Sequence, residues 1–324
     1  MKKILITGST GFIGSHLTEL CVEQGYDVIA FDRYNPNYSL GHLENSKHKK
    51  KINFVFGDIR DYDSVFKSMK GCSFVFHLAA LIGIPYSYHS PLAYLKTNLE
   101  GTYNILESSK HHEIEQTIIT STSETYGTAQ KVPINEEHRL HAQSPYAASK
   151  IAADQLALSY WNSFKLPVKI IRPFNTYGPR QSPRAVIPTI INQALNGGKE
   201  IKLGNTGPTR DLTYVADTCK AYLEILKINN FYGNPINVGS NNEYKIQDIA
   251  AKIIKKLNSN AQIILDQERV RPASSEVERL VCDNKLILNK SKWKPNTDFD
   301  EGLDLTIEWF KGLKNNLDHN IYHI

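Results

Sequence analysis

Ile4-Leu5-Ile6-Thr7-Gly8-Ser9-Thr10-Gly11-Phe12-Ile13-Gly14 is the stretch whose reading decides the fold. A β-branched apolar run passes through a glycine-spaced turn straight into residues of helical period. Gly8, Gly11 and Gly14 let the backbone come close to a pyrophosphate at the helix N-terminus, with Phe12 and Ile13 completing the cofactor-binding turn. Asp32 stands 18 residues beyond Gly14, at the end of the second strand-like run, placed to accept both hydroxyls of a ribose. Its carboxylate would repel a 2′-phosphate, which favours NAD over NADP, although Arg33 beside it offers such a phosphate a partner. Asp58 and Ile59, just after the third run, are positioned to touch the adenine, and Asp58 suits a helix cap equally well.

Outward from that stretch, short β-branched runs alternate with longer helical ones. Ile4 to Thr7, Asp27 to Phe31, Asn53 to Phe56, Phe74 to His77, Gln116 to Ser121 and Val168 to Arg172 read as strands. Ile13 to Gln24, Asp61 to Met69, Ala93 to Lys110 and Ala147 to Asn162 read as the helices between them. The repeated strand-helix-strand units predict an α/β fold, a doubly wound parallel sheet with helices on both faces. Prolines and glycines interrupt the rhythm from Pro173 to Pro208, and it resumes with a strand at Pro235 to Val238, a helix at Lys245 to Leu257, a strand at Gln262 to Leu265 and a helix around Leu303 to Lys311. This predicts a Rossmann domain over residues 1–178, to which segments near 209–242 return, and a smaller mixed α/β substrate-binding region over 179–324.

Composition narrows the function classes. With 324 residues, 41% apolar and 22% charged, the chain is an ordinary globular protein with room for about two domains. The net charge is +5, and the basic run Lys47-His48-Lys49-Lys50-Lys51 is too short, and too poor in aromatics, for a nucleic-acid surface. Cys21, Cys72, Cys219 and Cys282 are widely spaced, so neither a metal site nor a disulfide framework is expected, and a reducing cytoplasm fits. No apolar run reaches the roughly 18 residues of a membrane span, and the start of the chain is too short in apolar residues for a signal peptide.

The chemical end lies in Ser144-Pro145-Tyr146-Ala147-Ala148-Ser149-Lys150. Tyr146 and Lys150 are four apart, so both side chains leave one face of a helix. A phenol near pKa 10 is a poor base at neutral pH, and an ammonium together with a positively charged nicotinamide stabilises the phenolate. Taken alone such a pair is a surface pair. Its meaning changes beside the glycine-rich turn and the strand-end segment Thr120-Ser121-Thr122-Ser123-Glu124-Thr125-Tyr126-Gly127.

With those motifs the chain resembles the extended short-chain dehydrogenase/reductases, the group of nucleotide-sugar epimerases and 4,6-dehydratases, over nearly its whole length. Phe76-His77-Leu78-Ala79-Ala80, Asn98 with Gly101-Thr102, Arg172-Pro173-Phe174-Asn175-Thr176-Tyr177-Gly178-Pro179 and Arg210-Asp211 support the resemblance. It implies a triad of Thr122, Tyr146 and Lys150, in which Tyr146 takes the proton of the sugar C4 hydroxyl while the C4 hydride passes to NAD. Epimerases of this group carry small residues after the triad Thr or Ser, whereas 4,6-dehydratases carry Thr-Asp-Glu or Thr-Ser-Glu, and this chain has Thr122-Ser123-Glu124. A carboxylate at Glu124 suits removal of a C5 proton made acidic by a C4 ketone. Ser123 is a much weaker acid than the Asp it replaces, which leaves to Glu124 or a relayed water the proton for the departing C6 hydroxyl. A strand-end Glu also caps helices or forms ion pairs.

The same resemblance assigns Asn98, Asn175, Arg210 and Arg271 to the nucleotide sugar, two guanidinium groups matching paired phosphates. The competing structural expectation is an ion pair of Arg210 with Asp211 and of Arg271 with Glu276. Gly127-Thr128-Ala129-Gln130, Gln143-Ser144-Pro145-Tyr146 and Arg271-Pro272-Ala273-Ser274-Ser275-Glu276-Val277 are similar to dehydratases of the legionaminic-acid type, which act on UDP- or GDP-linked N-acetylglucosamine. GDP-mannose, a 4-epimerase reaction and a non-catalytic NAD sensor are the alternatives. Helices Ala93 to Lys110 and Ala147 to Asn162 resemble those that pair as a four-helix bundle in a homodimer, with Leu156 and Leu158 on outward faces.

Overall fold

The computed structural model describes residues 1–229 and 231–313. Its strands begin with β1 (Lys3–Thr7), β2 (Asp27–Arg33), β3 (Ile52–Gly57), β4 (Phe74–His77), β5 (Gln116–Thr120) and β6 (Val168–Pro173). They continue with β7 (Asn175–Tyr177), β8 (Glu200–Leu203), β9 (Thr209–Tyr214), β10 (Pro235–Val238), β11 (Glu243–Lys245), β12 (Gln262–Leu265) and β13 (Arg279–Leu280). Seven of these form one sheet in the order β10-β6-β5-β4-β1-β2-β3, every pairing parallel.

Because side chains alternate along a strand, β1 feeds two apolar layers. Ile4 and Ile6 enter the layer that holds Leu17 and Cys21 of helix Phe12–Glu23 and Cys219 and Tyr222 of helix Val215–Lys227. Leu5 enters the opposite layer, with Val65, Ile105, Leu106 and Ala157 from helices Tyr62–Ser68, Gly101–His111 and Pro145–Phe164. The connections run one way from β1 to β2 and β3 and the other way from β4 outward. That reversal opens a crevice at the carboxyl ends of β1 and β4, where ligands bind in sheets of this kind.

A smaller assembly covers the other side of the crevice. β9 pairs with β7, β11 and β13, and β8 pairs with β12. Helices Val186–Leu195, Ile246–Lys256 and Phe299–Lys311 close a core of their own over them, through residues such as Ile190, Ile249 and Leu303. β10 lies in the large sheet and helix Val215–Lys227 packs on it, although both follow β7 to β9 in the chain.

The structure departs from the sequence reading in three places. The helix expected over Ala93 to Lys110 is broken: Pro91–Tyr94 is followed by a π-helical turn, Leu95–Glu100, and only then by helix Gly101–His111. Such turns re-aim a side chain, and here the turn carries the buried Asn98. Helix Val186–Leu195 forms where Pro183 and Pro188 suggested irregular chain, because Pro188 falls in the first turn, whose N–H has no helical partner in any case. Leu156 and Leu158 do not face outward; both pack on the layer beneath the sheet. The apolar residues left exposed are Leu92, Leu95 and Tyr103 on the first segment and Phe164 at the end of the second. Among the described residues, no helix is long and apolar enough to cross a membrane, no group of acidic, His or Cys side chains is set to hold a metal ion, and the cysteines are free and buried.

One buried group ties stability to pH. His77, at the end of β4, bridges Thr7 Oγ1 through Nδ1 (2.8 Å) and Thr102 Oγ1 through Nε2 (3.2 Å). Burial, with the charge of Lys150 acting the same way, pulls its pKa from 6.5 down to about 3. Between those values the unfolded chain binds a proton that the folded chain refuses. The contribution is therefore fully present above pH 6.5 and is lost as pH falls toward 3. Urea titrations at pH 6.5 and pH 5 are expected to show about 2 kcal/mol more acid-induced loss for the natural chain than for His77→Gln. Equal losses in the two proteins would exclude His77 as the source.

Candidate active site

The site begins where β1 ends. Gly8 adopts φ +69°, and a Cβ there would stand 2.8 Å from Ala79 N, just past β4. A Cβ on Gly14 would stand 2.0 Å from Gly8 O, so the first turn of the helix rests directly on the loop backbone. No side chain caps that helix at Gly11, which leaves its first N–H groups to an anion. This cradle fits the pyrophosphate of a dinucleotide and would be filled by side chains at positions 8 and 14. Phe12 and Ile13 turn into the layer beneath.

Asp32 sits at the carboxyl end of β2, one residue inside the strand. Its Oδ2 accepts Thr10 N–H (2.8 Å) and the Thr10 hydroxyl (2.7 Å), and its Oδ1 accepts Arg33 N–H (2.7 Å). The carboxylate is thus locked at the lip of the loop. Asp58 does not cap the next helix; Asp61 does, accepting Asp63 N–H. Asp58 instead holds Arg60 through both carboxylate oxygens, and that pair keeps its carboxyl below the usual range. Ile59 is buried against Gly101, where a Cβ would come within 2.5 Å of it.

The chemical cluster stands at the carboxyl end of β5. Thr122 starts a short 3-10 turn, Ser123–Tyr126, by accepting Glu124 N–H on its hydroxyl (3.2 Å). Ser144 caps the helix that carries Tyr146 and Lys150, accepting Ala147 N–H (3.1 Å), with Pro145 in its first turn. Tyr146 is buried, and Tyr94 packs edge-on against its ring at 6.2 Å. Burial pushes the Tyr146 phenol well above its ordinary pKa; a hydrogen bond with Thr122 pulls it back, while Glu124, Tyr94 and Asp154 add to the rise. Lys150 is 3% exposed and donates to Thr120 O (2.6 Å). Burial lowers its pKa to about 8, against the pull of Asp154. Burial drives both groups toward neutrality, so the phenolate is costly to form without positive charge beside it.

Asn98 is placed differently from the expectation that it meets substrate. Its amide is 1% exposed, and it accepts Leu81 N–H (2.8 Å) while donating to Leu81 O (2.9 Å) and Ser149 Oγ (2.9 Å). It fastens the loop after β4 to the helix of Tyr146.

Arg210 and Arg271 do converge, and on one carboxylate: each reaches Glu276 Oε1, at 3.4 and 3.5 Å. The expected Arg210–Asp211 ion pair does not form, because Asp211 accepts from Ser240 N–H and Oγ, Asn241 N–H and Cys282 N–H. Asn175 lies on β7 beside β9, and its Oδ1 is buried with no hydrogen-bond partner among the described residues. Gln143 ties the 271–276 strap to the turn after Glu124, accepting Thr128 N–H and donating to Ser274 O (3.1 Å) and Glu276 O (3.0 Å). Glu124 is felt electrostatically by both Tyr146 and Arg210, which joins the chemical cluster to the paired arginines.

The model of the family described as GDP-mannose 4,6 dehydratase matches residues 5–306. The chain belongs to that dehydratase family. It is 33% identical over 326 residues to a UDP-N-acetyl-alpha-D-glucosaminuronate decarboxylase of Bacillus cytotoxicus, covering 97% of this chain and 99% of the relative. A dTDP-glucose 4,6-dehydratase of Streptomyces venezuelae, solved with NAD, superposes with TM-score 0.86 at 26% identity over 95% of this chain and 97% of that one. A UDP-glucose 4-epimerase of Thermotoga maritima, solved with UDP-glucose, gives TM-score 0.86 at 28% identity over 95% and 98%. The decarboxylase is a reaction that the sequence reading did not weigh.

In this member of the dehydratase family several site residues escaped the sequence reading. Tyr94 sits on a segment read as one uniform helix. Glu276 was read only as the partner of Arg271. Asp154 had a signal, since it lies four residues beyond Lys150 on the same helix. For Asn98, Asn98→Ala is expected to cost about 2–3 kcal/mol in urea unfolding, because Leu81 N–H and O and Ser149 lose their buried partner. A loss under about 0.5 kcal/mol, the range of a surface change, would remove Asn98 from the framework of the site.

Proposed function

We propose that the chain is an NAD-dependent nucleotide-sugar 4,6-dehydratase that converts UDP- or GDP-linked N-acetylglucosamine to the 4-keto-6-deoxy sugar. Glu124 carries the reading. Its carboxylate lies among Tyr146 and Arg210 and accepts no hydrogen bond among the described residues. An epimerase needs no further base once C4 is a ketone, whereas loss of water across C5 and C6 does.

NAD, held by the Gly8–Gly14 cradle and Asp32, supplies the hydride acceptor and later the hydride donor. Tyr146 takes the proton of the C4 hydroxyl, with Thr122 as its hydrogen-bond partner and Lys150 supplying positive charge one turn away. Glu124 then removes the C5 proton, and the C6 oxygen leaves as water with a proton from Glu124 or from a water held by Ser123. Arg210 and Arg271 take the diphosphate, exchanging the carboxylate of Glu276 for phosphate oxygens. The N-acetylglucosamine choice is supported by the likeness of 127–130, 143–146 and 271–277 to enzymes of the legionaminic-acid type, segments that Gln143 ties together.

Incubation with UDP-GlcNAc, GDP-GlcNAc and GDP-mannose separately, followed by mass spectrometry, is expected to give a product lighter by one water from an N-acetylglucosamine donor. Loss of carbon dioxide from the corresponding uronate, or a changed C4 configuration at constant mass, would replace this reading with decarboxylation or epimerisation. Glu124→Gln is expected to slow water loss by about 10²–10⁴-fold with NAD still bound; unchanged turnover would strip Glu124 of its role.

We further propose a homodimer built on the Pro91–His111 and Pro145–Phe164 segments, with the exposed Leu95 and Tyr103 at the contact. Sedimentation is expected to give twice the chain mass, and Leu95→Glu with Tyr103→Glu to give the single mass. A monomeric natural chain would refute the pairing.

A further inference from the structure

Beneath Lys150 lies a polar cluster that the proposed reaction leaves without a task. Asp154 follows Lys150 by four residues on helix Pro145–Phe164 and is 0% exposed. Its Oδ2 accepts three donors: the Ser121 hydroxyl (2.8 Å), Arg172 Nε (3.0 Å) and Arg172 Nη2 (2.9 Å). Its Oδ1 is buried and has no hydrogen-bond partner among the described residues. Arg172, on β6, continues to the Tyr126 hydroxyl through Nη1 (2.9 Å), and Tyr126 donates to Asn237 Oδ1 (2.7 Å). The guanidinium is therefore held from two sides, and it holds one oxygen of Asp154 in turn.

A carboxylate removed from water and bonded through one oxygen only is costly to keep, by about 1–3 kcal/mol or more for the unsatisfied atom. Its position explains it. Residues four apart on a helix are neighbours on one face, so the negative charge of Asp154 is set one turn from the Lys150 ammonium. We infer that Asp154 is the counter-charge of Lys150, a positioning residue that keeps a buried ammonium charged, and that Arg172 fixes it in place through Oδ2. Among the described residues the Lys150 ammonium has a single hydrogen bond, to Thr120 O. Burial pulls its proton off, and Asp154 opposes that loss. The other titratable groups facing this pocket are His77 from β4, Arg172 from β6, Glu124 and Tyr126 from the 123–126 turn, and Tyr146 on the same helix. His77 stays neutral, and Asp154 is the charge in the set that opposes the loss of the ammonium's proton.

The inference rests on Lys150 and Tyr146 acting as the pair proposed above, but its test needs no substrate. In protein labelled with ¹³C at lysine Cε, the Lys150 resonance is identified by its absence from Lys150→Met. Its titration midpoint, expected near pH 8 in the natural chain, is expected to fall by about one unit or more in Asp154→Asn. Arg172→Gln, which removes the competing cation, is expected to raise it. Loosened packing would instead move both variants upward, toward an ordinary lysine. Should Asp154→Asn fail to fold with its guanidinium unpaired, the same fall is read between Arg172→Gln and the Asp154→Asn/Arg172→Gln double variant. A midpoint that moves by less than about 0.3 units on losing the Asp154 charge, in whichever background folds, overturns the assignment. If the midpoints move as expected while no nucleotide sugar is turned over, the proposed function fails and the counter-charge stands.

Discussion

Two backbone-on-backbone contacts fix the rest of the molecule. Gly14 rests on Gly8 O, and Gly8 rests on Ala79 N, so the first helix can leave the sheet in one direction only, over the gap between β1 and β4. That gap is where the strand order reverses. The helix then lies beside helix Val215–Lys227 on the Ile4 and Ile6 face, which brings a late part of the chain back to the large sheet. Once it is there, β9 lies immediately before that helix, and Arg210 on β9 meets the cluster at the end of β5. The approach of two loops without side chains at the cofactor end therefore decides where the diphosphate end falls.

Burial is the second constraint, and it works against the chemistry it shelters. Desolvation raises Tyr146 and lowers Lys150, so each is pushed to the uncharged form. A dry site strengthens the interaction of whatever charges it does hold. The fold answers with charges that are paired and fixed: the fully buried Asp154 against Arg172, and Arg210 and the partly exposed Arg271 against Glu276. A positively charged ring arriving beside Tyr146 then acts on a phenol whose surroundings are already set, which is the condition under which electrostatic stabilisation is largest.

The large sheet was legible because its central strands are continuous apolar runs buried on both faces, and β4 and β10 fall on the residues expected for them. In the smaller assembly β12 and the helices Ile246–Lys256 and Phe299–Lys311 fall near the residues expected, but β7, β11 and β13 have two or three residues and show no alternation to read. Helix Val215–Lys227 went unread, although Val215, Cys219, Tyr222, Leu223 and Leu226 recur at helical spacing and are all buried. At the site, Tyr146 and Lys150 could be paired because helical spacing alone makes them neighbours. The contacts of Asn98 with Leu81, and of two arginines with Glu276, depend on segments brought together by the fold, and a π-helical turn conceals itself in a sequence whose apolar spacing still looks helical.

The relatives are named for three reactions, dehydration, decarboxylation and epimerisation. In the proposed reaction Thr122, Tyr146 and Lys150 act at C4, a step that an epimerase would share, so they do not separate the readings. What separates them acts at C5 and C6. In this chain two carboxylates face the sugar-nucleotide end, and they are not equivalent. Glu276 is neutralised by two guanidinium groups and becomes available only when phosphate replaces it. The carboxylate of Glu124 accepts no hydrogen bond among the described residues and lies within the field of Arg210, on a turn started by Thr122. A base that is not engaged elsewhere is what proton removal next to a ketone requires, and it is the physical reason for ranking dehydration above epimerisation, which leaves C5 alone.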